Sequence, residues 1–395
     1  YVDELDERAQ RDAFYRAMNG YLDLDPYSEF LPPREQRNVR EDIEGRYAGL
    51  GIKIEAVDEG LALVGVFPDG PAAQAGLNVG DTLVRADGTS LSGIEIEDVT
   101  RLLKGKPNTP VRVAFLPGPR PESGPHQVPE REVVVTRGVI RPPTVFSRYV
   151  GDRDQFVHIR LTDFAEETED DFNEALDAAR EKGVDGVLVD LRGNGGGVLT
   201  TALQVADRFL DKGLILRMEG RARDTNKNHK ARADKNDVKD LALIVLVDGS
   251  SASASEVVAG ALQDHRRAVL VGERTYGKFL VQQITPIPGT RASIKLTTSR
   301  YYTPAGRSYQ ARSRAKNGQA EPAGLFPDVV VPLTDEQEEA LVRFWFDQEG
   351  AVWGSEPRFP EVDVDHVDPQ LERAIKLLSG DVAWRAIRRG QPRRG

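Results

Sequence analysis

Short apolar segments alternate with longer amphipathic segments between residues 150 and 335. The run Gly186–Leu191, apolar except for Asp190, predicts a buried strand, because a strand covered on both faces carries apolar side chains at nearly every position. Residues 166–182 have apolar positions at helical spacing, which predicts a helix. The repeated strand–helix–strand order predicts an α/β fold with a largely parallel, helix-covered sheet. Further strands are predicted at 156–161, 241–247 and 268–271, and further helices at 198–210 and 254–263.

The pattern differs on either side of this region. Between residues 47 and 140, short alternating strands are separated by glycine turns, which predicts an inserted β-rich domain. Residues 1–46 predict a helical N-terminal segment that forms a small cap, and residues 336–395 a C-terminal helical region. The catalytic core is then expected to span residues 141–335. Within it, the charged residues 221–239 have no clear period and predict a mobile surface loop.

Composition and charge narrow the classes of function. The 395 residues carry a net charge of −10, which argues against nucleic acid or an anionic lipid surface as the partner. The longest apolar run, Leu241–Val247, is far shorter than the roughly 20 residues of a membrane-spanning helix. The sequence has no cysteine, which excludes disulfides, thiolate metal sites and a cysteine nucleophile.

The sequence begins at Tyr1 rather than methionine. We therefore expect it to be part of a longer precursor, with any export signal or membrane anchor upstream. Membrane contact is expected only through that missing N-terminal segment.

Three loops are expected to meet at one edge of the sheet, because crossover helices bring the carboxyl ends of successive parallel strands to the same edge. The loops are Arg192–Gly197, Asp248–Glu256 and Gly272–Lys278. They carry a glycine-rich backbone, small hydroxyl residues at a helix start and a lysine. Together these are the components of an acyl-transfer site.

A serine nucleophile in the second loop needs a base. His265 follows Ser253 by twelve residues, which along a helix is about 18 Å, so His265 is excluded. Lys278 has the right placement, provided that burial lowers its pKa from about 10.4. Serine–lysine pairs are a known variant of the catalytic triad.

Simpler interpretations of these features stay open at this point. A serine cluster before a helix is most often only an N-cap. The glycine loop could bind phosphate, although it lacks the Gly-Lys-Ser/Thr ending of a P-loop. No His-Glu-x-x-His motif and no pair of histidines at ligand spacing is present, so we expect no zinc site.

Five ordered motifs give the chain a specific resemblance to a known family. Residues 251–265 and 271–278 closely resemble the carboxyl-terminal processing peptidases, also called tail-specific proteases. Residues 47–140 look like the PDZ domain of that family. The other motifs are Asp190-Leu-Arg-Gly-Asn-Gly-Gly-Gly197, Tyr301–Arg307, Gly324–Asp328 and the N-terminal Leu24-Asp-Pro-Tyr-Ser28.

The resemblance implies a role for each matching residue. Ser253 would be the nucleophile, Lys278 its base, and Gln282 the residue that orients the lysine amine. The amides of Ala254 and Gly196 would form the oxyanion hole. No cofactor is implied.

One position departs from the family pattern. Where the family usually reads Gly-Lys-Gly-Ser, this chain has Phe279 and Leu280 after the lysine. A bulky Phe279 could fill the pocket beside the lysine or change the preferred substrate side chain. It makes a rival function conceivable, a catalytically inactive PDZ scaffold that only binds peptides.

In the PDZ domain, the resemblance assigns peptide binding to the loop formed by Gly49, Leu50, Gly51 and Ile52. Their amides would hold a terminal carboxylate, and the next strand edge would pair with an extended peptide. The expected function is a serine endopeptidase that recognises unstructured protein C-termini. A third alternative, an acyl-CoA enzyme, does not explain the PDZ domain.

The resemblance also suggests a cellular setting and further partners. It implies an extracytoplasmic location, typically the bacterial periplasm. It leaves room for an adaptor protein and for a homo-oligomer, and nucleic acid is not expected as a partner.

Overall fold

The chain divides into two units in the computed structural model. The larger unit comprises residues 1–45, 144–332 and 369–395, and the smaller unit comprises residues 46–143 and 333–368. The structure describes residues 7–22, 25–118, 129–232, 238, 240–310, 323–351 and 368–380. Among these residues, no helix is long and apolar enough to cross a membrane.

The larger unit contains helices α1 (Glu7–Tyr21), α2 (Pro33–Glu44), α5 (Thr168–Lys182), α6 (Leu199–Asp207), α7 (Ala254–Asp264) and α9 (Pro369–Leu378). Its strands are β1 (Glu29–Leu31), β10 (Val145–Val150), β11 (Phe156–Leu161), β12 (Gly186–Asp190), β13 (Gly213–Gly220), β14 (Lys227–Ala231), β15 (Ala242–Val247), β16 (Val269–Gly272), β17 (Leu280–Pro286), β18 (Ser293–Tyr302) and β19 (Val329–Val330).

The smaller unit contains strands β2 (Tyr47–Gly49), β3 (Ile52–Val57), β4 (Gly60–Val66), β5 (Thr82–Ala86), β6 (Thr89–Ser90), β7 (Pro110–Leu116), β8 (Arg131–Thr136) and β9 (Gly138–Ile140). Its helices are α3 (Pro71–Gln74), α4 (Ile96–Leu103) and α8 (Asp335–Ala351).

A six-stranded sheet in the order β10-β11-β12-β15-β16-β19 is the centre of the larger unit. All its pairings are parallel except that of β10 with β11. Alternate residues of β12 point to two different cores. Val187 and Val189 pack in the core that includes α5, α6 and α7, and Leu188 packs with Leu371 and Leu377 of α9. The predicted helix-covered, largely parallel sheet is therefore confirmed.

A second, antiparallel sheet completes the larger unit, with the order β1-β18-β13-β14 and β17 paired to β18. Strand β1 comes from the N-terminal segment and pairs with β18, so this segment is part of the catalytic unit and not the separate cap that we expected. Strand β14 lies within the charged stretch 221–239, for which we expected a loop. It pairs with β13 at the edge of this sheet, where polar side chains can remain exposed.

The described helices of the predicted C-terminal region 336–395 belong to two different units. Helix α8 belongs to the smaller unit and α9 to the larger one. The physical reason is visible in α9, whose Leu371, Ala374 and Leu377 are fully buried in the core beneath the central sheet. The amphipathic pattern of α9 predicts that it packs against something, but not which unit it joins.

The smaller unit is the predicted β-rich module. Its main sheet has the order β3-β4-β5-β7-β8, with the short β6 on β5, and β2 pairs with β9. In helix α4, Val99 and Leu103 are buried in the core of this module. Strand β3 lies at the edge of its sheet and pairs only with β4 within the described residues.

Candidate active site

The three loops predicted to meet at one edge of the central sheet are hydrogen-bonded to one another. The Gly193 amide donates to Asp248 Oδ2 at 2.9 Å, and the Ala252 amide donates to the Asn194 carbonyl at 3.1 Å. The Tyr276 amide donates to a carbonyl of the serine loop at 3.1 Å. This part of the sequence prediction is confirmed.

Ser253 sits at the start of α7 in a strained conformation. Its φ is +55° and its ψ −110°, a region that residues other than glycine rarely adopt. A Cβ added to Gly196 would lie 2.9 Å from the Ser253 Cβ, so only glycine fits there. The strained turn and the glycine loop therefore hold the serine against the positive end of the α7 dipole.

The backbone amide of Gly196 is already occupied. It donates to Asn194 Oδ1 at 2.8 Å, while Asn194 Nδ2 donates to the Leu161 carbonyl at 2.9 Å. In this arrangement the Gly196 amide bonds to a fully buried side chain, so its role as the second oxyanion donor stays a prediction that requires this hydrogen bond to be exchanged. The Ala254 amide stays a prediction. Asn194 belongs to the glycine-loop motif, but no spacing rule predicts these two hydrogen bonds of its side chain.

Glu256 joins the nucleophile loop to the lysine loop. Its Oε2 accepts hydrogen bonds from the amides of Ser253 at 2.9 Å and Lys278 at 2.8 Å. Its Oε1 accepts from Thr275 Oγ1 at 2.6 Å and from the Gly277 amide at 2.8 Å. Amides can only donate, so both oxygens act as acceptors, as in an ionised carboxylate. Burial raises the pKa of Glu256, and these four hydrogen bonds oppose that shift.

The Tyr301 hydroxyl lies within hydrogen-bond distance of the backbone carbonyls of Ser253 and Lys278. Its hydroxyl lies 2.9 Å from the Ser253 carbonyl oxygen and 2.7 Å from that of Lys278, so its one proton is available to both. Its ring stacks on Phe279, with the ring centroids 4.6 Å apart. Phe279 is fully buried in the core, so its ring supports Tyr301 and does not fill an open pocket beside the lysine.

The Lys278 amine makes no hydrogen bond to the serine among the described residues. Lys278 Nζ lies instead 5.0 Å from the ring centroid of Tyr27. Burial is the main cause that lowers the pKa of Lys278, and the charge of Lys295 lowers it further. The Glu256 carboxylate acts in the opposite direction.

The predicted role of Gln282 has a different geometry here. Gln282 Nε2 donates to Thr297 Oγ1 at 3.4 Å, and Thr297 Oγ1 donates to Asp25 Oδ1 at 3.1 Å. No hydrogen bond joins Gln282 to Lys278 among the residues that the structure covers. The orienting role of Gln282 therefore stays a prediction that requires movement of the lysine or the amide.

His265 lies at the opposite end of α7, as its spacing from the serine predicted. It follows the last turn of the helix, and its Nε2 lies 2.7 Å from the carbonyl oxygen of Leu214. This position leaves His265 no part in the chemistry at the start of α7.

A buried ion pair holds the strand that leads into the glycine loop. The Arg192 guanidinium donates to both oxygens of Asp190, at 3.0 and 2.7 Å. Its charge counters the burial of Asp190, and the pKa of that carboxyl lies well below its usual range. His158 Nδ1 accepts from Arg148 Nε at 3.3 Å, so its Nε2 carries the hydrogen that faces Asp190. Burial lowers the pKa of His158 and keeps it neutral.

Comparison with known proteins identifies the class. The model of peptidase family S41 matches residues 155–331, and a PDZ domain model matches residues 64–116. A solved S41 protease structure from Bacteroides fragilis, 17% identical, covers 96% of this chain with a TM-score of 0.52, which supports the fold. The chain is a serine-type peptidase that contains a PDZ domain.

Two curated relatives narrow the family. The carboxy-terminal-processing protease of Bartonella bacilliformis is 33% identical, covering 94% of this chain and 84% of the relative. The chloroplastic C-terminal processing peptidase of Tetradesmus obliquus is 31% identical, covering 82% of this chain and 71% of the relative. The chain belongs to the carboxy-terminal-processing protease family.

Proposed function

We propose that the protein cleaves polypeptides by a serine–lysine mechanism, with Ser253 as nucleophile and Lys278 as base. The main support for this proposal is the Glu256 carboxylate, which accepts hydrogen bonds from the backbone of both residues. One carboxylate oxygen accepts the amides of two residues that are far apart in sequence. Burial lowers the pKa of Lys278, which favours the neutral amine that a base needs.

The reaction follows from these roles. Lys278 Nζ takes the proton of Ser253 Oγ as that oxygen attacks the substrate carbonyl carbon, and the Ala254 amide donates to the resulting oxyanion. The Lys278 ammonium then protonates the leaving amine as the C–N bond breaks, which leaves an acyl-enzyme. Lys278 next deprotonates a water, which attacks the ester carbonyl carbon. The Lys278 ammonium then returns that proton to Ser253 Oγ as the acyl C–O bond breaks, which releases the acid product and restores the neutral amine. Such catalytic hydrogen bonds often form only in the substrate complex. The position of Lys278 Nζ beside the Tyr27 ring is therefore compatible with a role as base.

Gln282 completes the proposed arrangement. We assign it the orientation of the Lys278 amine in the substrate complex, where it would exchange its weak bond to Thr297 for the lysine. The rival function, an inactive peptide-binding scaffold, rested on Phe279. Its support is removed because that side chain is buried against Tyr301.

We further propose that the PDZ module binds the substrate's C-terminus in the loop formed by Gly49, Leu50, Gly51 and Ile52. The carbonyls of Leu50 and Gly51 bond inside the module, to the amides of Ala72 and Phe67, both at 2.9 Å. We propose that the amides of Leu50 and Gly51, which lie between β2 and β3 and outside both strands, donate to the carboxylate. The edge position of β3 supports pairing with an extended peptide beside it.

The test of this function compares two forms of one unfolded substrate protein, with a free C-terminal carboxylate and with that carboxylate amidated. We expect the amidated form to be cleaved with a kcat/KM lower by about 10–100-fold, because charge-assisted hydrogen bonds to the carboxylate are lost. Ser253→Ala should cleave neither form. Equal rates would contradict C-terminal recognition, and tight binding without any cleavage by the unaltered protein would support the scaffold.

The site also predicts a pH dependence. Activity should rise with pH through the lowered pKa of Lys278, since only the neutral amine accepts the serine proton. Lys295→Gln removes a positive charge that favours the neutral amine, so the rise should move to higher pH by about 0.2–0.7 units. Lys295→Arg keeps the charge and should leave the profile unmoved. An equal shift in both variants would show that the charge of Lys295 is not the cause.

We propose an extracytoplasmic site of action, with the bacterial periplasm as the specific compartment. The absence of cysteine is compatible with an oxidising compartment. Fractionation of cells that express the full gene product would test the location. An adaptor protein and a homo-oligomer stay predictions, which affinity purification and solution mass measurements would test.

A further inference from the structure

A turn at residues 25–28 of the N-terminal segment places the Tyr27 ring beside Lys278, the candidate base. Asp25 Oδ1 accepts the amides of Tyr27 at 2.8 Å and Ser28 at 3.0 Å, and Asp25 Oδ2 accepts the Ser28 hydroxyl at 2.7 Å. This set of side-chain-to-backbone bonds fixes a tight turn. The Tyr27 ring therefore projects from a defined backbone.

Hydrogen bonds join this turn to the antiparallel sheet, whose strand β18 carries Tyr301. Thr297 of β18 donates its hydroxyl to Asp25 Oδ1 at 3.1 Å and its amide to Ser28 Oγ at 3.1 Å. Strand β1, which follows the turn directly, pairs with β18 as well. The position of Tyr27 is thus determined by the same strand that carries Tyr301 and Lys295.

The Tyr27 ring meets the Lys278 amine at a distance typical of a cation–π contact. Lys278 Nζ lies 5.0 Å from the ring centroid, within the roughly 6 Å over which the ring face attracts a cation. This attraction acts only on the protonated amine. The Tyr27 hydroxyl faces the side chains of Tyr276 and Gln310, so the ring has neighbours on its polar end as well.

Resting on the serine–lysine function proposed above, we propose that Tyr27 is a positioning residue that holds the protonated Lys278 amine on its ring in the free enzyme. The amine leaves this position when it turns to Ser253. The N-terminal segment is therefore part of the catalytic apparatus and sets how readily the base becomes available. The charges that act on this amine are those of Lys295 of β18 and Glu256 of α7. The other titratable groups on the surrounding elements are Glu29, which pairs with Lys295, Tyr301, which bonds to the Lys278 carbonyl, and Asp25 and Tyr276, which contact Tyr27.

The test separates the ring from the rest of the side chain. Tyr27→Leu keeps an apolar group over the amine but removes the ring face, so the rise of kcat/KM with pH should move to lower pH by about 0.5–1.5 units. Tyr27→Phe keeps the ring and should leave the rise within about 0.2 units of the unaltered enzyme. The profile of kcat/KM is the right measurement because it reports groups of the free enzyme, where the contact exists.

Two outcomes would overturn the proposal. An unmoved profile for Tyr27→Leu, or a shift to higher pH, would mean that the ring does not stabilise the protonated amine. A shift in Tyr27→Phe as large as that in Tyr27→Leu would assign the effect to the hydroxyl. Thermal unfolding of both variants would identify any loss of folded protein, which lowers the plateau of activity without moving its midpoint.

A second readout keeps this proposal distinct from the function on which it rests. In the full chain with Ser253→Ala, the pH dependence of Lys278 acetylation by acetic anhydride, followed by mass spectrometry, reports the amine without any turnover. Tyr27→Leu in that background should move the acetylation midpoint down by the same 0.5–1.5 units. An unmoved midpoint overturns the role of Tyr27. A shifted midpoint in an enzyme whose turnover survives Lys278→Ala would overturn the catalytic role and leave the contact standing.

Discussion

Ser253→Ala and Lys278→Ala are each expected to lower kcat by a factor on the order of 10⁴ or more, because residues that act as one unit lose nearly all activity when either is removed. Cleavage of an unfolded substrate protein, followed by gel and mass spectrometry, measures the effect. Thermal unfolding should stay close to that of the unaltered protein, since both side chains are only partly buried.

His265→Ala is the matched control for this pair. His265 lies at the far end of the same helix, so its removal should leave kcat within a few-fold of normal. If Lys278→Ala retained turnover while His265→Ala lost it, the serine–lysine assignment would be wrong. If all three variants were fully active, another nucleophile would have to be sought.

The central sheet could be predicted from the sequence because its strands are buried on both faces. Residues 186–189 and 242–247 are apolar at every position, which is typical of strands covered on both faces, and both runs lie in strands of the parallel sheet. Strands β1 and β14 lack this signal. Each is short and partly exposed, and each is defined by its partner strand rather than by its own composition.

The meeting of the catalytic loops could be predicted as well, because it follows from the handedness of crossovers and not from side-chain detail. The hydrogen bonds that fix the site were missed. Tyr301 and Asn194 act through contacts with residues distant in sequence, which a single sequence does not display. Glu256 had a signal, since a Ser-x-x-Glu spacing at a helix start is a capping box, and its carboxylate indeed accepts the Ser253 amide.

The Gly196 amide shows what a matching motif leaves undetermined. The glycine loop lies against the serine, as the resemblance implied, yet the direction of one amide depends on which acceptor is nearest. Asn194 places its side-chain oxygen 2.8 Å from the Gly196 nitrogen, and a pattern of glycines contains no information about that bond. Backbone position is thus more predictable from sequence than hydrogen-bond direction.

Glu256→Gln should produce the second large loss, with kcat lower by about 100-fold. A glutamine offers one oxygen and one NH₂ group, and where the NH₂ group replaces Oε2 it faces the amides of Ser253 and Lys278, which then have no acceptor. Leaving these two partly buried amides without acceptors costs about 2–5 kcal/mol of stability. The activity falls further than stability explains because the Ser253 and Lys278 backbones lose their common acceptor, and a displacement near 1 Å can cost 10²-fold in rate.

Thr275→Val separates the two effects. Thr275 Oγ1 donates to Glu256 Oε1 and accepts the Leu325 amide at 2.7 Å, so its loss destabilises the same region. The amides of Ser253 and Lys278 keep their bonds to Oε2 in this variant. We therefore expect a comparable fall in the melting temperature, but a kcat within about tenfold of normal when rates are corrected for folded protein. Equal losses of kcat in the two variants would mean that Glu256 only stabilises the fold. A loss confined to Glu256→Gln would establish that this carboxylate sets the distance between nucleophile and base.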